Sequence, residues 1–382
     1  MRGALKTLTI MLAAVAAMIA LPGAALAQRA GTLIDAQSAR EAPAGMRAWR
    51  IRYWTTSDRG RPIQVTGMVI APRGRPGREP RPVIAWTHGA LGVASRCAPS
   101  IGELNFTMIP TLSDVLRRGY TVVAPDYPGL GSEGMHPFLV GTSTAHSVLD
   151  AVRAAGGIRE AAASRRFALW GESQGGHAAL WSGQLARSYA PDLDLVGVAA
   201  IVPPTDLARN FADGSDQNAR AMLTAFTATS WSRHFGAPLT AFGRRSTQNV
   251  IIRLADNNCI EVSGRPRLGT IIGIAVARQA IRGVDLARTQ PWGALMRENS
   301  VSPRAVPSPL MVVQGTADTI VAPAVTLDFV WRACASGKTV RFISVPGGEH
   351  ATVARTEVRT TLDWIDARFR GERAPNDCRS LS

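Results

Sequence analysis

The chain has 382 residues, 46% of them hydrophobic, which is enough for a large core built as one big α/β domain with an insertion, or as two domains, and excludes wholesale disorder. The formal net charge is +15, but the basic residues are spread along the chain and all except Lys6 and Lys338 are arginines. With no Lys/Arg-rich run, no zinc-ligand spacing and no basic helix interleaved with aromatics, nucleic acid is not an expected partner, and the charge reads as a solubility and surface-association property.

In chain order, residues 1–27 come first as a secretory signal peptide: MRGALK is positive, TLTIMLAAVAAMIAL is apolar, Pro22 and Gly23 break the run, and Ala25-Leu26-Ala27 forms a small-residue cleavage site before Gln28. The expected location is therefore secreted or periplasmic. Export makes Cys97, Cys259, Cys334 and Cys378 candidates for two disulfides, and spacing alone permits three pairings.

The segments RIRYWTTS and PIQVTGMVIAP read as two antiparallel strands, followed after the loop RGRPGREPRP by PVIAWTHG, TVVAPDYPG, RFALWGES, LVGVAAIVPP, PLMVVQGTAD and TVRFISVPGG. These short apolar runs alternate with helix-compatible sequence, the rhythm of parallel strands joined by crossover helices. The rhythm stops between Asp206 and Ser300, where AMLTAFTATSW and TIIGIAVARQAI are apolar and helical in character. The expected organisation is a first core part at 28–206, a helical insertion at 207–300 and a second core part at 301–382, since a structureless loop of that length is improbable in a compact domain.

Chemistry concentrates at FALWGESQGGHAAL, where G-x-S-x-G stands between a strand and a helix. That is the pattern of a nucleophile elbow, in which a sharp turn lifts the Ser173 hydroxyl clear of the backbone and the following helix aims its N-terminal N–H groups at the reacting oxygen. Gly171, Gly175 and Gly176 are expected where a side chain would collide with neighbouring backbone. A serine needs a base and an orienting acid, and in this fold they follow in the order acid, then histidine. QGTADTIVAP offers Asp318 and VPGGEH offers His350, both in loops at strand C-terminal ends, where open α/β sheets bind ligands. His88, His136, His146, His177 and His234 are expected to be hydrogen-bonded structural residues, and Asp328, Asp363 and Asp366 to sit on helices facing solvent. Glu349 is too close in sequence to bond the His350 ring. Oxyanion donors are expected at the backbone N–H of Gln174 and, after the strand ending in THG, at the N–H of Ala90.

WTHGALGVASRCAPS, APDYPGLGSEGMHPFLVGTSTAHSVLDAVRAA, WGESQGGHAALW, GTADTIV and GGEH together resemble a bacterial member of the secretory lipase family of α/β-hydrolases, which also holds fungal lid-bearing lipases. The resemblance implies a mostly parallel sheet flanked by helices, with a helical lid before the acid-bearing strand. It also implies esterase or lipase activity through Ser173, Asp318 and His350, and the disulfides Cys97–Cys259 and Cys334–Cys378. Bacterial relatives commonly carry Thr after the His-Gly pair, so Ala90 brings a backbone donor alone. The implied substrate is a small-molecule or lipid ester, with lipid-interface contact through the lid and neither metal nor organic cofactor. Two other classes share the constellation: a serine aminopeptidase or amidase, which needs an acid for a free amine and has Asp213, Asp216 and Glu261 in the insertion, and a non-catalytic binding protein, which normally loses a triad member.

Overall fold

The computed structural model describes residues 29–381 apart from 75–76, 103, 261–265 and 307–308. The expected signal peptide at 1–27 and Glu261 lie outside the described residues.

Nine strands form one sheet in the order β1-β2-β3-β5-β4-β6-β7-β8-β9. At one edge β1 (Leu33–Ser38), β2 (Met46–Thr56) and β3 (Pro62–Pro72) pair antiparallel, and β3 pairs antiparallel with β5 (Thr121–Pro125). From there β5, β4 (Arg81–Thr87), β6 (Ala163–Glu172), β7 (Asp194–Ile201), β8 (Leu310–Gly315) and β9 (Val340–Val345) run parallel. The central strands are buried on both faces, which is why they read as unbroken apolar runs. In β4 the pleat sends Val83 and Ala85 into the core on one face, and Ile84 and Trp86 into the core on the other. In β6 Phe167 and Leu169 take the first side, and Ala168 and Trp170 the second.

Helices cover both faces. Short α1 (Leu104–Met108) and α2 (Leu112–Arg117) follow β4, α3 (Gly141–Ala155) follows β5, and α4 (Gln174–Tyr189) follows β6. Five more lie between β7 and β8: α5 (Leu207–Asp213), α6 (Gln217–Phe235), α7 (Arg245–Asn257), α8 (Leu268–Ile281) and α9 (Trp292–Asn299). After β8 come α10 (Pro323–Ala335), α11 (His350–Thr356) and α12 (Val358–Phe369). Leu149 of α3, Ala179 of α4 and Phe329 of α10 pack on one sheet face, while Val115 of α2 and Ile365 of α12 pack on the other.

The helices between β7 and β8 have a core of their own, made of Phe226, Trp231, Phe242 and Trp292, with Phe138 from the loop before α3. Trp231 and Trp292 stack at 6.2 Å, and Trp231 Nε1 donates to the Phe138 carbonyl at 2.8 Å, tying this layer to the sheet domain. Local signals set the length of α6. Asp216 caps its start by accepting from the Asn218 and Ala219 N–H groups, and Gly236 at φ 75° ends it in the left-handed region. Two disulfides close the structure: Cys97–Cys259 joins the loop after β4 to this layer, and Cys334–Cys378 joins the end of α10 to the C-terminal tail. No helix among the described residues is long and apolar enough to cross a membrane.

Strand β1 went unseen in the sequence. LIDAQS is a half-exposed edge strand whose residues carry little alternation, so pairing with β2 defines it and periodicity does not.

Candidate active site

The sheet reverses its winding between β5, β4 and β6, and the site lies at this switch, where diverging loops leave a crevice at the strand C-termini. Ser173 is both the last residue before α4 and the turn itself, with φ 56° and ψ −122°, a conformation costing a non-glycine residue about 1–3 kcal/mol. Surrounding contacts hold it there: Ser173 N–H donates to the Ile201 carbonyl at 2.9 Å, and the Thr87 hydroxyl donates to the Gly175 carbonyl at 2.8 Å. The crowding explains two glycines. A Cβ on Gly175 would stand 1.8 Å from the Thr87 carbonyl oxygen, and one on Gly171 would stand 2.0 Å from Thr87 Oγ1.

His350 reaches this serine from the loop after β9. Glu349 caps α11 and exchanges hydrogen bonds with Thr352, which sets His350 at the first helical position. Its Nε2 lies 3.0 Å from Ser173 Oγ and its Nδ1 lies 2.8 Å from Asp318 Oδ2. The Asp318 side chain is wholly buried. It accepts four hydrogen bonds: at Oδ1 from the Ile320 and Val321 N–H groups, both at 2.9 Å, and at Oδ2 from Gln314 Nε2 at 3.1 Å as well as from His350. A buried carboxylate so satisfied is fixed in orientation, and it selects the imidazole tautomer that carries its proton on Nδ1 and leaves Nε2 to accept from the serine hydroxyl. Gln314 is itself held by Thr326, whose hydroxyl donates to Gln314 Oε1 at 2.8 Å.

Gln174, the first residue of α4, and Ala90 line the same cavity as Ser173. The first N–H groups of a helix have no partner within it, so the Gln174 amide is a donor at the point where Ser173 presents its oxygen. Behind these two residues stands an aromatic stack that the sequence did not reveal. The His88 and Tyr127 rings lie 4.1 Å apart and the Tyr127 and His136 rings 5.7 Å apart, while Tyr127 OH donates to the His88 carbonyl at 3.0 Å. His136 Nδ1 faces the Pro128 carbonyl at 2.9 Å and therefore carries the proton, so Nε2 accepts from Gln174 Nε2 at 2.8 Å. Burial holds His88 and His136 neutral, at about 4 and about 3. The other histidines are bonded elsewhere: His146 to the Thr56 carbonyl, His177 to the Asn299 carbonyl and His234 to Asp58. Glu172, next to Ser173, is half-buried, and desolvation pushes its carboxyl up against the opposing pull of His350 and Arg355.

The cavity beside Ser173 is narrow and mostly apolar, with Phe138, Leu207, Phe211, Leu223 and Val321 in its walls. Its volume is about 50 Å³, small for a substrate pocket. Of the acids considered as amine anchors, Asp213 is exposed and pairs loosely with Arg209 at 3.9 Å, whereas Asp216 lines the cavity with Oδ1 engaged in capping α6. Asp328 pairs with Arg209 and Arg332, and Asp363 and Asp366 with Arg118, away from Ser173.

Comparison with known proteins agrees with this architecture. Among solved structures, Candida antarctica lipase A in its closed state is similar, with a TM-score of 0.75 and 20% identity, covering 93% of this chain and 85% of that one. So is the rice cell wall degrading esterase LipA from Xanthomonas oryzae, with a TM-score of 0.71 and 18% identity over 90% of this chain and 100% of that one. At those identities the likeness shows the α/β-hydrolase fold. Among curated proteins, a probable inactive lipase of Mycobacterium tuberculosis is 23% identical over 86% of this chain and 75% of its own length, and Lipase 10 of Candida albicans is 25% identical over 87% and 74%. Residues 103–377 match the model of the family described as secretory lipase, a span holding the elbow, the acid loop and the histidine loop together, and the chain belongs to that family.

Proposed function

We propose that this chain is a secreted serine carboxylic ester hydrolase working through an acyl-enzyme intermediate. The observation that carries the reading is the unbroken hydrogen-bond chain from Ser173 Oγ through His350 to buried Asp318, at the mouth of an apolar cavity. Ser173 Oγ attacks the ester carbonyl while His350 Nε2 takes its proton. Asp318 stabilises the imidazolium, and the N–H groups of Gln174 and Ala90 receive the oxyanion. His350 then protonates the leaving alkoxide, and water, deprotonated by the same ring, releases the acid. These steps call for neither metal nor organic cofactor. One relative is described as probably inactive; here serine, histidine and aspartate are all in place and mutually bonded.

Residues 207–300 act in this reading as a lid whose outer face meets lipid. Leu268, Ile271 and Ile272 on α8 are 72%, 52% and 55% exposed, and Ile260 is 37% exposed. Among the described residues, most of the exposed large hydrophobic side chains thus gather on this segment, as on helices that rest in a lipid surface. Two disulfides fit an oxidising compartment, consistent with export and cleavage near Ala27.

The test is a p-nitrophenyl ester series from two to sixteen carbons with and without detergent, run beside Ser173→Ala, His350→Ala and their double variant. Because the residues act as a unit, all three variants lose a similar factor, on the order of 10⁴ in kcat, and Asp318→Asn falls steeply but less. A fluorophosphonate labels Ser173 alone. A folded, contaminant-free Ser173→Ala protein with near wild-type turnover sinks the mechanism.

A further inference from the structure

Resting on the ester-hydrolase reading, a second polar feature of the cavity bears on which ester is cleaved. Arg220, in the second turn of α6, is half-buried and lines the Ser173 cavity. It also lines a neighbouring cavity of about 300 Å³, and the two share Phe211 and Arg220 as their boundary. Among the described residues its guanidinium has no hydrogen bond, ion pair or aromatic face to rest on.

Three carboxylates of this region are paired with other arginines. Asp213 pairs with Arg209, Asp285 with Arg288, and Asp328 with both Arg209 and Arg332. Asp216, one turn before Arg220, is not within ion-pair distance of it and gives Oδ1 to the Asn218 and Ala219 amides. Arg278, across on α8, is taken by Gln217 and Asn218. A cation left over at the wall of an apolar cavity, with its five donors unused, suits a planar anion reaching it from within.

We propose that Arg220 makes this pocket selective for acyl groups that end in a carboxylate, that is, for hemi-esters of short dicarboxylic acids. The methylenes fill the small inner cavity and the distal carboxylate meets the guanidinium at its boundary with the outer one. The small volume beside Ser173 favours short dicarboxylic chains, of succinyl or glutaryl size. The reaction is the hydrolysis already described: the acyl C–O bond breaks, water supplies hydroxyl to the acyl carbon and a proton to the alkoxide, and the products are an alcohol and a free dicarboxylate.

The experiment compares kcat/KM for p-nitrophenyl hydrogen glutarate with that for p-nitrophenyl pentanoate, which has the same chain length and no charge, in wild type, Arg220→Leu, Arg220→Gln and Arg220→Lys. The ratio of the two falls about 10- to 100-fold in the Leu and Gln variants, mainly through KM for the hemi-ester, and only partly in Lys, as expected for loss of a charge-assisted hydrogen-bonded pair. A ratio unchanged within twofold overturns the proposal, as does a wild-type preference for the p-nitrophenyl ester of 4-aminobutyrate, which would assign the pocket to Asp216. Calorimetric binding of glutarate against pentanoate to Ser173→Ala protein, with and without Arg220→Gln, decides the question without turnover. Glutarate binding that needs Arg220 supports the assignment, and equal binding of both acids refutes it. Failure of the wild type to cleave either ester refutes the hydrolase reading and leaves the binding result to decide the role of Arg220.

Discussion

Gly175→Ala isolates the geometry of the elbow from its chemistry, because the substitution removes no reacting group. On propensity alone, alanine in α4 should gain about 1 kcal/mol over glycine. The structure reverses that sign. The new methyl would stand 1.8 Å from the Thr87 carbonyl oxygen, 2.5 Å from its carbon and 2.8 Å from the His88 carbonyl oxygen, all rigid backbone at the end of β4. Restoring ordinary contact at about 3.4 Å means separating β4 from α4 by roughly 1.6 Å, and overpacking of this kind costs about 1–3 kcal/mol. Ala90 follows β4 and Gln174 begins α4, so the same separation pulls the two expected oxyanion donors apart while Ser173, His350 and Asp318 keep their identities. A misplacement near 1 Å costs about 100-fold in rate. The expected result is a folded Gly175→Ala protein, somewhat less stable in urea, with kcat on a p-nitrophenyl acetate assay down about 100-fold. Gly176→Ala, whose Cβ would meet Ile201 O and Pro203 Cβ at 3.0 Å, should lose far less. Equal kcat for wild type and Gly175→Ala, with folding verified by circular dichroism, would refute this account of the elbow.

Acid should unfold the protein through its buried histidines. Burial lowers His88, His136 and His177 to about 4, 3 and 4 from the usual 6.5, so below pH 6.5 the unfolded chain takes up protons that the folded one refuses. Stability present above pH 6.5 is lost as pH falls toward 4, by up to about 3 kcal/mol per histidine. Asp126, raised by burial to about 6, has the opposite sign and offsets about one of them as pH falls from 6 toward 4. Urea midpoints should therefore drop between pH 7 and pH 4.5, and a flat profile would contradict the assignment. The Cys334–Cys378 bridge spans a sequence separation of 44, which on the chain-entropy model is worth about 4 kcal/mol. Replacing both cysteines with serine should lower the melting temperature without changing the ester preference, and an unchanged melting temperature would contradict the estimate.

Much of this protein is written in local order. Strands buried on both faces must be apolar without interruption, so β4 to β9 stand out as runs. A strand that enters a helix through G-E-S-Q-G has room for one kind of turn, and chain order in such a fold points from Ser173 to Asp318 and His350. Asp216 and Gly236 mark the ends of α6 because caps and left-handed turns are chemical choices made within a few residues. The contacts that shape the site around those residues have no such signature. His136 and Gln174 are 38 positions apart, and Arg220 and Ser173 line one cavity only in the folded chain. Gln314 looks like any polar residue ending a strand until β8 and the following loop turn it onto Asp318. Periodicity and capping report on the nearest turn of chain, so the sequence by itself determined the strands, the elbow and the candidate triad. Only tertiary packing, which brings distant side chains within hydrogen-bond range and sets the width of the space between them, decided which contacts surround the candidate triad, how small the cavity beside it is and which charged side chains, Asp216 and Arg220, line it.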